Sequence, residues 1–204
     1  MTMTEISAKD VKELRDRTGA GMMDAKRALQ EADGDAAKAE EILKTKGLAS
    51  VVKRAGRSTG HGLVDAYVHF NNTVGVLIEV DCETDFVANT EEFRQLVKEL
   101  ALHIATPSAP RYVTREEVPA EVLEGERRIF EAQARELGKP DDVIPKIVEN
   151  KLKAFYEETV LLDQPYVRDD SKTIQGLLDE LSAKVGEKIV VRRFARYKVG
   201  EETE

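Results

Sequence analysis

The tightest constraint on the fold is a pair of alternating runs separated by three turn-forming residues. Hydrophobic residues recur at every second position from Leu63 to Phe70, and the same period resumes from Val74 to Val80. An extended chain points successive side chains to opposite faces, so a period of two predicts strands buried on one side. Asn71-Asn72-Thr73 lies between them and supplies the turn of an antiparallel hairpin. This reading puts Val64, Ala66, Val68 and Phe70 on the buried face, with Val74, Val76, Ile78 and Val80 of the second strand. A last run, Lys188 to Val199, keeps Ile189, Val191, Ala195, Tyr197 and Val199 in phase, with Arg193 breaking the pattern. It can join the hairpin as a third antiparallel strand.

The rest of the chain has helical spacing. Ser7 and Asp10 form an approximate capping box for a first helix that turns Val11 and Leu14 inward. Gly19-Ala20-Gly21 breaks it, and a second helix from about Met22 buries Ala25, Ala28, Leu29 and Ala32. Asp35 caps a third, with Ala39, Ile42 and Leu43 inward and Gly47 as its stop. Beyond the hairpin, a helix near Thr90 carries the stripe Phe93, Leu96, Val97, Leu100, Ala101 and Ile104. Thr114 and Glu117 read as a capping box for the next helix. Gly138-Lys139-Pro140 ends that helix, and a partner running to about Glu158 completes a helical hairpin over roughly 115–158. Ser171 caps a last helix with Ile174, Leu177, Leu178, Leu181 and Val185. The expected class is α+β: a three-helix domain over 1–50, a linker over 51–61, and a core over 62–204 with a three-stranded antiparallel sheet and the helical hairpin.

Composition excludes several functions. A net charge of -8 argues against a dedicated nucleic-acid binder, which needs a basic face to displace counterions from phosphates. Lys53, Arg54 and Arg57 are basic but carry no interleaved aromatics, so a solvated linker is the better reading. One cysteine, Cys82, cannot form an internal disulfide, which fits a reducing cytoplasm. The polar first ten residues lack the apolar stretch of a signal peptide, and no apolar run reaches the roughly 18 residues of a spanning helix.

Catalytic readings fare poorly. His61, His69 and His103 fall on a loop, a strand and a helix, with no partner at ligand or relay spacing. Gly19-Ala20-Gly21 follows a helix and has Asp24 where a dinucleotide loop needs its third glycine, so it reads as a turn. Asp81, Glu83 and Asp85 would share one face of an extended chain, but no glycine turn or further oxygen ligands follow, so a solvated face outweighs a cation site. Cys82 has no neighbouring cation to lower its pKa. No catalytic residue, metal or cofactor is expected. The feature without a bland account is Thr84-Asp85-Phe86-Val87, which sets a large aromatic between a strand and a helix cap, where polar turn residues are the rule. That ring is either tucked into the core or left exposed for a partner.

Three segments carry a family resemblance. Val11-Lys12-Glu13-Leu14-Arg15-Asp16-Arg17-Thr18-Gly19-Ala20-Gly21-Met22-Met23-Asp24-Ala25-Lys26 resembles the N-terminal signature of elongation factor Ts. Asp81-Cys82-Glu83-Thr84-Asp85-Phe86-Val87-Ala88-Asn89 resembles its second signature, and Ser171-Lys172-Thr173-Ile174 with the helix and strand after it resembles the end of the family core. The resemblance implies a ubiquitin-associated-like N-terminal domain and a non-enzymatic role as guanine-nucleotide exchange factor for the GTPase elongation factor Tu. It implies that Phe86 wedges near the partner's Mg2+ site, that Asp85 hydrogen-bonds beside it, and that Thr84 and Val87 hold the turn in shape. Arg15, Met22 and Met23 become contacts of the N-terminal domain, and His69 a contact with another domain of the partner. Long members carry two similar hairpin subdomains, whereas one is found here. A homodimer is therefore expected, one chain supplying Phe86 and the other His69 in a 2:2 complex. The competing reading is a protein-binding adaptor that does not speed nucleotide release.

Overall fold

The structure is a computed structural model that describes residues 6–201. Residues 1–5 and 202–204, which the expected domains include, lie outside the described residues.

Three helices open the chain: α1 (Ala8–Thr18), α2 (Met22–Glu31) and α3 (Ala36–Arg54). The capping box forms as expected, with the Asp10 N–H donating to Ser7 Oγ at 3.1 Å and the Ser7 N–H to the Asp10 carboxylate at 3.2 Å. Gly19 ends α1 in the left-handed region at φ 69°, which costs glycine little, and its N–H returns to the Arg15 carbonyl. The interior of this ubiquitin-associated-like bundle is Val11, Leu14, Ala25, Ala28, Leu29, Ala32 and Ala39, so its helices meet largely through alanine. Asp35 caps α3 through the Ala37 and Lys38 N–H groups. That helix does not stop at Gly47; it continues to Arg54, into the expected linker. A glycine inside a helix costs about 1 kcal/mol, and here its bare Cα meets α8 (Ile174–Val185), where an added Cβ would lie 3.2 Å from Ala183 Cβ.

Strands β1 (His61–Val68), β2 (Val74–Cys82) and β5 (Ile189–Lys198) form an antiparallel sheet in the order β1-β2-β5. β2 buries Val76, Ile78, Val80 and Cys82 as its alternation requires. β1 is turned the other way from expectation. Leu63 pairs with Val80 and Tyr67 with Val76, so those two share the core face, while Val64, Val68 and Phe70 are exposed. Both faces of β1 are partly apolar, and a choice of parity inverts every side chain. β5 is also re-aimed. The register shifts between Glu79 and Val80, which pair with Arg193 and Val191. This irregularity at Arg192 turns Phe194 toward the core and leaves Tyr197 and Val199 exposed, opposite to their expected side.

α5 (Glu91–Ile104) lays Phe93, Leu96, Val97, Leu100, Ala101 and Ile104 on the inner face of the sheet, beside Ile174, Leu178 and Leu181 of α8. The helical hairpin is α6 (Ala120–Glu136) and α7 (Ile144–Thr159), with its own cluster of Ala134, Ile144, Val148 and Leu152. Thr114 and Glu117 make no capping box. Arg115–Glu117 is a 3-10 turn in which the Glu117 carboxylate accepts the Val113 N–H at 2.8 Å, and α6 starts after Pro119. Ser171 is not a cap either. It lies in a two-stranded ribbon of β3 (Pro165–Tyr166) and β4 (Asp169–Thr173), and Thr173 caps α8 through the Gly176 N–H.

Candidate partner-binding site

The chain leaves β2 at Cys82 and enters α4 (Asp85–Ala88), a single turn that leads directly into α5. Thr84 caps α4, its hydroxyl oxygen accepting the Val87 N–H. Asn89 donates its side-chain amide to the Asp85 carbonyl at 2.9 Å and accepts from Arg94 at 2.9 Å. Thr90 donates to the Val87 carbonyl and caps α5 through the Phe93 N–H. Within this closed set, Val87 and Ala88 are buried in the main core. A turn anchored on one side must present its other side to solvent, and that side carries Asp85 and Phe86. Phe86 is 80% exposed, so the ring is not tucked into the core.

Electrostatics at the corner are structural. The Glu83 carboxylate accepts the Lys188 N–H at 2.7 Å and the Arg57 guanidinium at 3.1 Å, and these hold its pKa below the ordinary value. Burial, then the neighbouring Glu79, pushes Asp81 up. Burial pushes the Cys82 thiol up to about 11, so it is no nucleophile. Its Sγ–H donates to the Thr84 carbonyl at 3.1 Å. Glu83 is thus turned to Arg57 and Lys188 rather than joining Asp81 and Asp85. An open cleft of about 550 Å3 borders the corner, with His61, Asp81, Asp85 and Arg94 in its lining.

The other candidates fall in two places. Arg15, Met22 and Met23 are exposed on the N-terminal bundle, the two methionines at 49% and 64%. Neither methionine fills the bundle interior, a use that a flexible thioether would also serve. His69 sits at the tip of the hairpin, its Nδ1 3.0 Å from the Tyr67 hydroxyl and its ring 4.5 Å from that of Phe70. Three of the basic residues before the sheet are engaged: Lys46 with Glu31, Arg54 with Ser50 and the Ser182 carbonyl, and Arg57 with Glu83. Sequence reasoning missed Glu187, which accepts the Thr84 N–H at 3.0 Å and the Thr84 hydroxyl at 2.6 Å. The two are 103 residues apart, so no local spacing signals the contact.

The sequence has known relatives. The sequence model of the family described as "Elongation factor TS" matches residues 3–201. The chain belongs to the elongation factor Ts family. The elongation factor Ts of Caldanaerobacter subterraneus subsp. tengcongensis is 58% identical over 96% of this chain and 98% of its own. That of Moorella thermoacetica is 58% identical over 96% of each chain, and that of Thermosipho melanesiensis 53% identical over 96% of this chain and all of its own. The first signature-like segment of this translation factor runs through α1 into α2 across the exposed Gly19–Gly21 turn, and the second runs from the end of β2 through α4. Among the described residues no helix is long and apolar enough to cross a membrane.

Proposed function

We propose that the chain is the guanine-nucleotide exchange factor for elongation factor Tu, acting in the cytoplasm and making no chemical bond of its own. The observation that carries this reading is the exposed Phe86 ring on a corner held from behind by the Thr84 cap and by buried Val87 and Ala88. Burying such a ring against a partner contributes about 1.5–3 kcal/mol, enough for a hot spot. In this reading Phe86 enters beside the partner's Mg2+ site, Asp85 hydrogen-bonds next to it, and Thr84 and Val87 keep the turn in shape. Arg15, Met22 and Met23 supply a second grip. The physics is linkage: a factor that binds best when the nucleotide-holding loops are displaced weakens nucleotide by the factor by which nucleotide weakens it. No cofactor and no nucleic-acid contact enters the scheme.

The proposed assembly is a homodimer in a 2:2 complex, with His69 reaching the GTPase from the second copy. The outer face of the sheet supports it. The cross-strand triplets Ala66–Leu77–Ala195 and Val68–Gly75–Tyr197 form two adjacent apolar rows there, with Leu77 51% and Tyr197 73% exposed. An apolar sheet face of this kind marks an interaction surface, and a two-fold pairing lays it on itself. GDP release from elongation factor Tu, followed with and without the chain, tests the function. Phe86→Ala is expected to slow stimulated release by about tenfold or more. Unchanged release would refute the wedge. The same sample should show twice the chain mass in solution; a monomer with full activity would refute the 2:2 arrangement.

A further inference from the structure

Beyond the pair Cys82–Ile189 the ladder between β2 and β5 ends, yet the two segments stay connected through a crossed pair of carboxylates. Glu83, leaving β2, accepts the backbone N–H of Lys188 at 2.7 Å. Glu187, in the turn from α8 to β5, accepts the backbone N–H of Thr84 at 3.0 Å and its hydroxyl at 2.6 Å. Each segment thus gives an N–H to a carboxylate of the other, where sheet pairing would have used carbonyls. Bonds to an ionised acceptor are shorter and about twice as strong as neutral ones.

The hydroxyl of Thr84 makes this more than a brace. It has one proton, and Glu187 takes it, which directs the oxygen lone pairs toward the Val87 N–H that starts α4. The direction in which α4 departs is therefore tied to Glu187, and Phe86 is the second residue of α4. Glu187 is itself fixed: Gly186 before it takes φ 77°, and the Ser182 hydroxyl donates to the Glu187 carbonyl. The adjoining Lys188 ammonium donates to the Ala55 and Arg57 carbonyls at the end of α3, at 2.6 and 3.1 Å.

We infer that Glu187 is a positioning residue for nucleotide exchange: its carboxylate, crossed with that of Glu83, sets the angle at which the Thr84–Ala88 corner presents Phe86. This rests on the wedge reading above. A positioning role acts on the step that follows binding, so it separates from a structural one in the concentration dependence of exchange. GDP release from elongation factor Tu is measured against increasing factor for the full-length wild type, Glu187→Ala, Glu187→Gln and Phe86→Ala, with a thermal melt of each. Glu187→Ala should lower the maximal release rate by roughly five- to twentyfold, as misplacement of a working group does, with a smaller change in the half-saturating concentration. Glu187→Gln keeps the size but offers one amide oxygen to two donors, so it should fall between, with a wild-type melt. Thr84→Val should add little to Glu187→Ala, because both remove one linked unit. A wild-type maximal rate for Glu187→Gln and Glu187→Ala beside an impaired Phe86→Ala would overturn this inference and leave the wedge standing. A wild-type rate for Phe86→Ala would remove the wedge beneath it.

Discussion

The N-terminal bundle and the sheet-helix core hold their residues in place by different means. The core closes on large aliphatic and aromatic side chains: Phe93, Leu100, Ile104 and Ile174 are fully buried. The bundle closes mainly on alanines at helix crossings, with Leu14 and Leu29 as its large fully buried side chains. Apolar burial scales with area, so the bundle has less to hold it and borrows from its neighbour. The second half of α3 runs along α8, with Gly47 against Ala183, Arg54 reaching the Ser182 carbonyl and Gly19 beside the Lys184 stem. The candidate contacts are divided between the two regions, Arg15, Met22 and Met23 on one and Phe86 on the other. That seam therefore fixes the distance between the two sets of candidate contacts.

The largest expected effect comes from testing whether the regions unfold separately. Phe93→Ala should destabilise the core by about 3–5 kcal/mol, and Leu29→Ala should cost the bundle about 2–5 kcal/mol. If the bundle is the weaker, dependent unit, Leu29→Ala will produce an early transition in which α1 to α3 lose amide-exchange protection while the sheet keeps it. Phe93→Ala should lower both together. One shared transition in Leu29→Ala, with protection lost everywhere at once, would show that the seam makes them a single cooperative unit.

The middle-sized effect concerns the seam. Gly47→Leu puts a branched side chain where even a Cβ lies 3.2 Å from Ala183 Cβ. Overpacking of this kind costs about 1–3 kcal/mol. Gly47→Ala is the control: alanine gains about 1 kcal/mol of helix propensity, which offsets a contact that needs only a small shift. Protection of α8 against amide exchange should fall in Gly47→Leu and hold in Gly47→Ala. Equal protection in both would mean that the bundle does not lean on α8.

The seam also shows where sequence reasoning succeeds and fails. Capping at Ser7 and Asp35 depends on residues within one turn and is legible. So is the stripe of α5, which has one apolar face. The inward face of β1 is not, because Val64, Ala66 and Val68 compete with Leu63 and Tyr67, and the choice is made by α5 and by pairing to β2. Gly47 reads as a helix stop until its neighbour Ala183 is known, and the irregularity at Arg192 that re-aims β5 has no glycine to mark it. In the candidate site, Phe86 stood out as an aromatic among turn residues, whereas Glu187 reached Thr84 only through the fold.

The smallest effect distinguishes the core's one buried histidine from the bundle, whose described residues include none. His103 is 4% exposed in α5. The Val167 N–H donates to its Nδ1 at 3.3 Å, so the ring proton lies on Nε2 and is given to Gln164 Oε1 at 2.9 Å. Gln164 in turn donates to the Ser108 and Glu158 carbonyls. The Tyr166 ring lies 6.3 Å away. Burial holds the imidazole below its ordinary value, with Gln164 opposing in part. A histidine kept neutral by folding takes up its proton first in the unfolded chain. Stability is therefore undiminished above about pH 6.5 and declines as pH falls toward the folded-state value. Glu83 and Glu116, held below their ordinary 4.5, lose their contributions only in more acid solution. Asp81 and Asp179, raised by burial, act with the opposite sign above 3.8, so the comparison is made against a variant that keeps both. His103→Gln should melt lower at neutral pH but lose less between about pH 7 and 5.5 than the wild type. The flattening should appear in the protection of α5 and the β3–β4 ribbon and be absent from α1 to α3. Equal slopes in both proteins would show that His103 does not resist protonation, and equal changes in both regions would show that the seam transmits it.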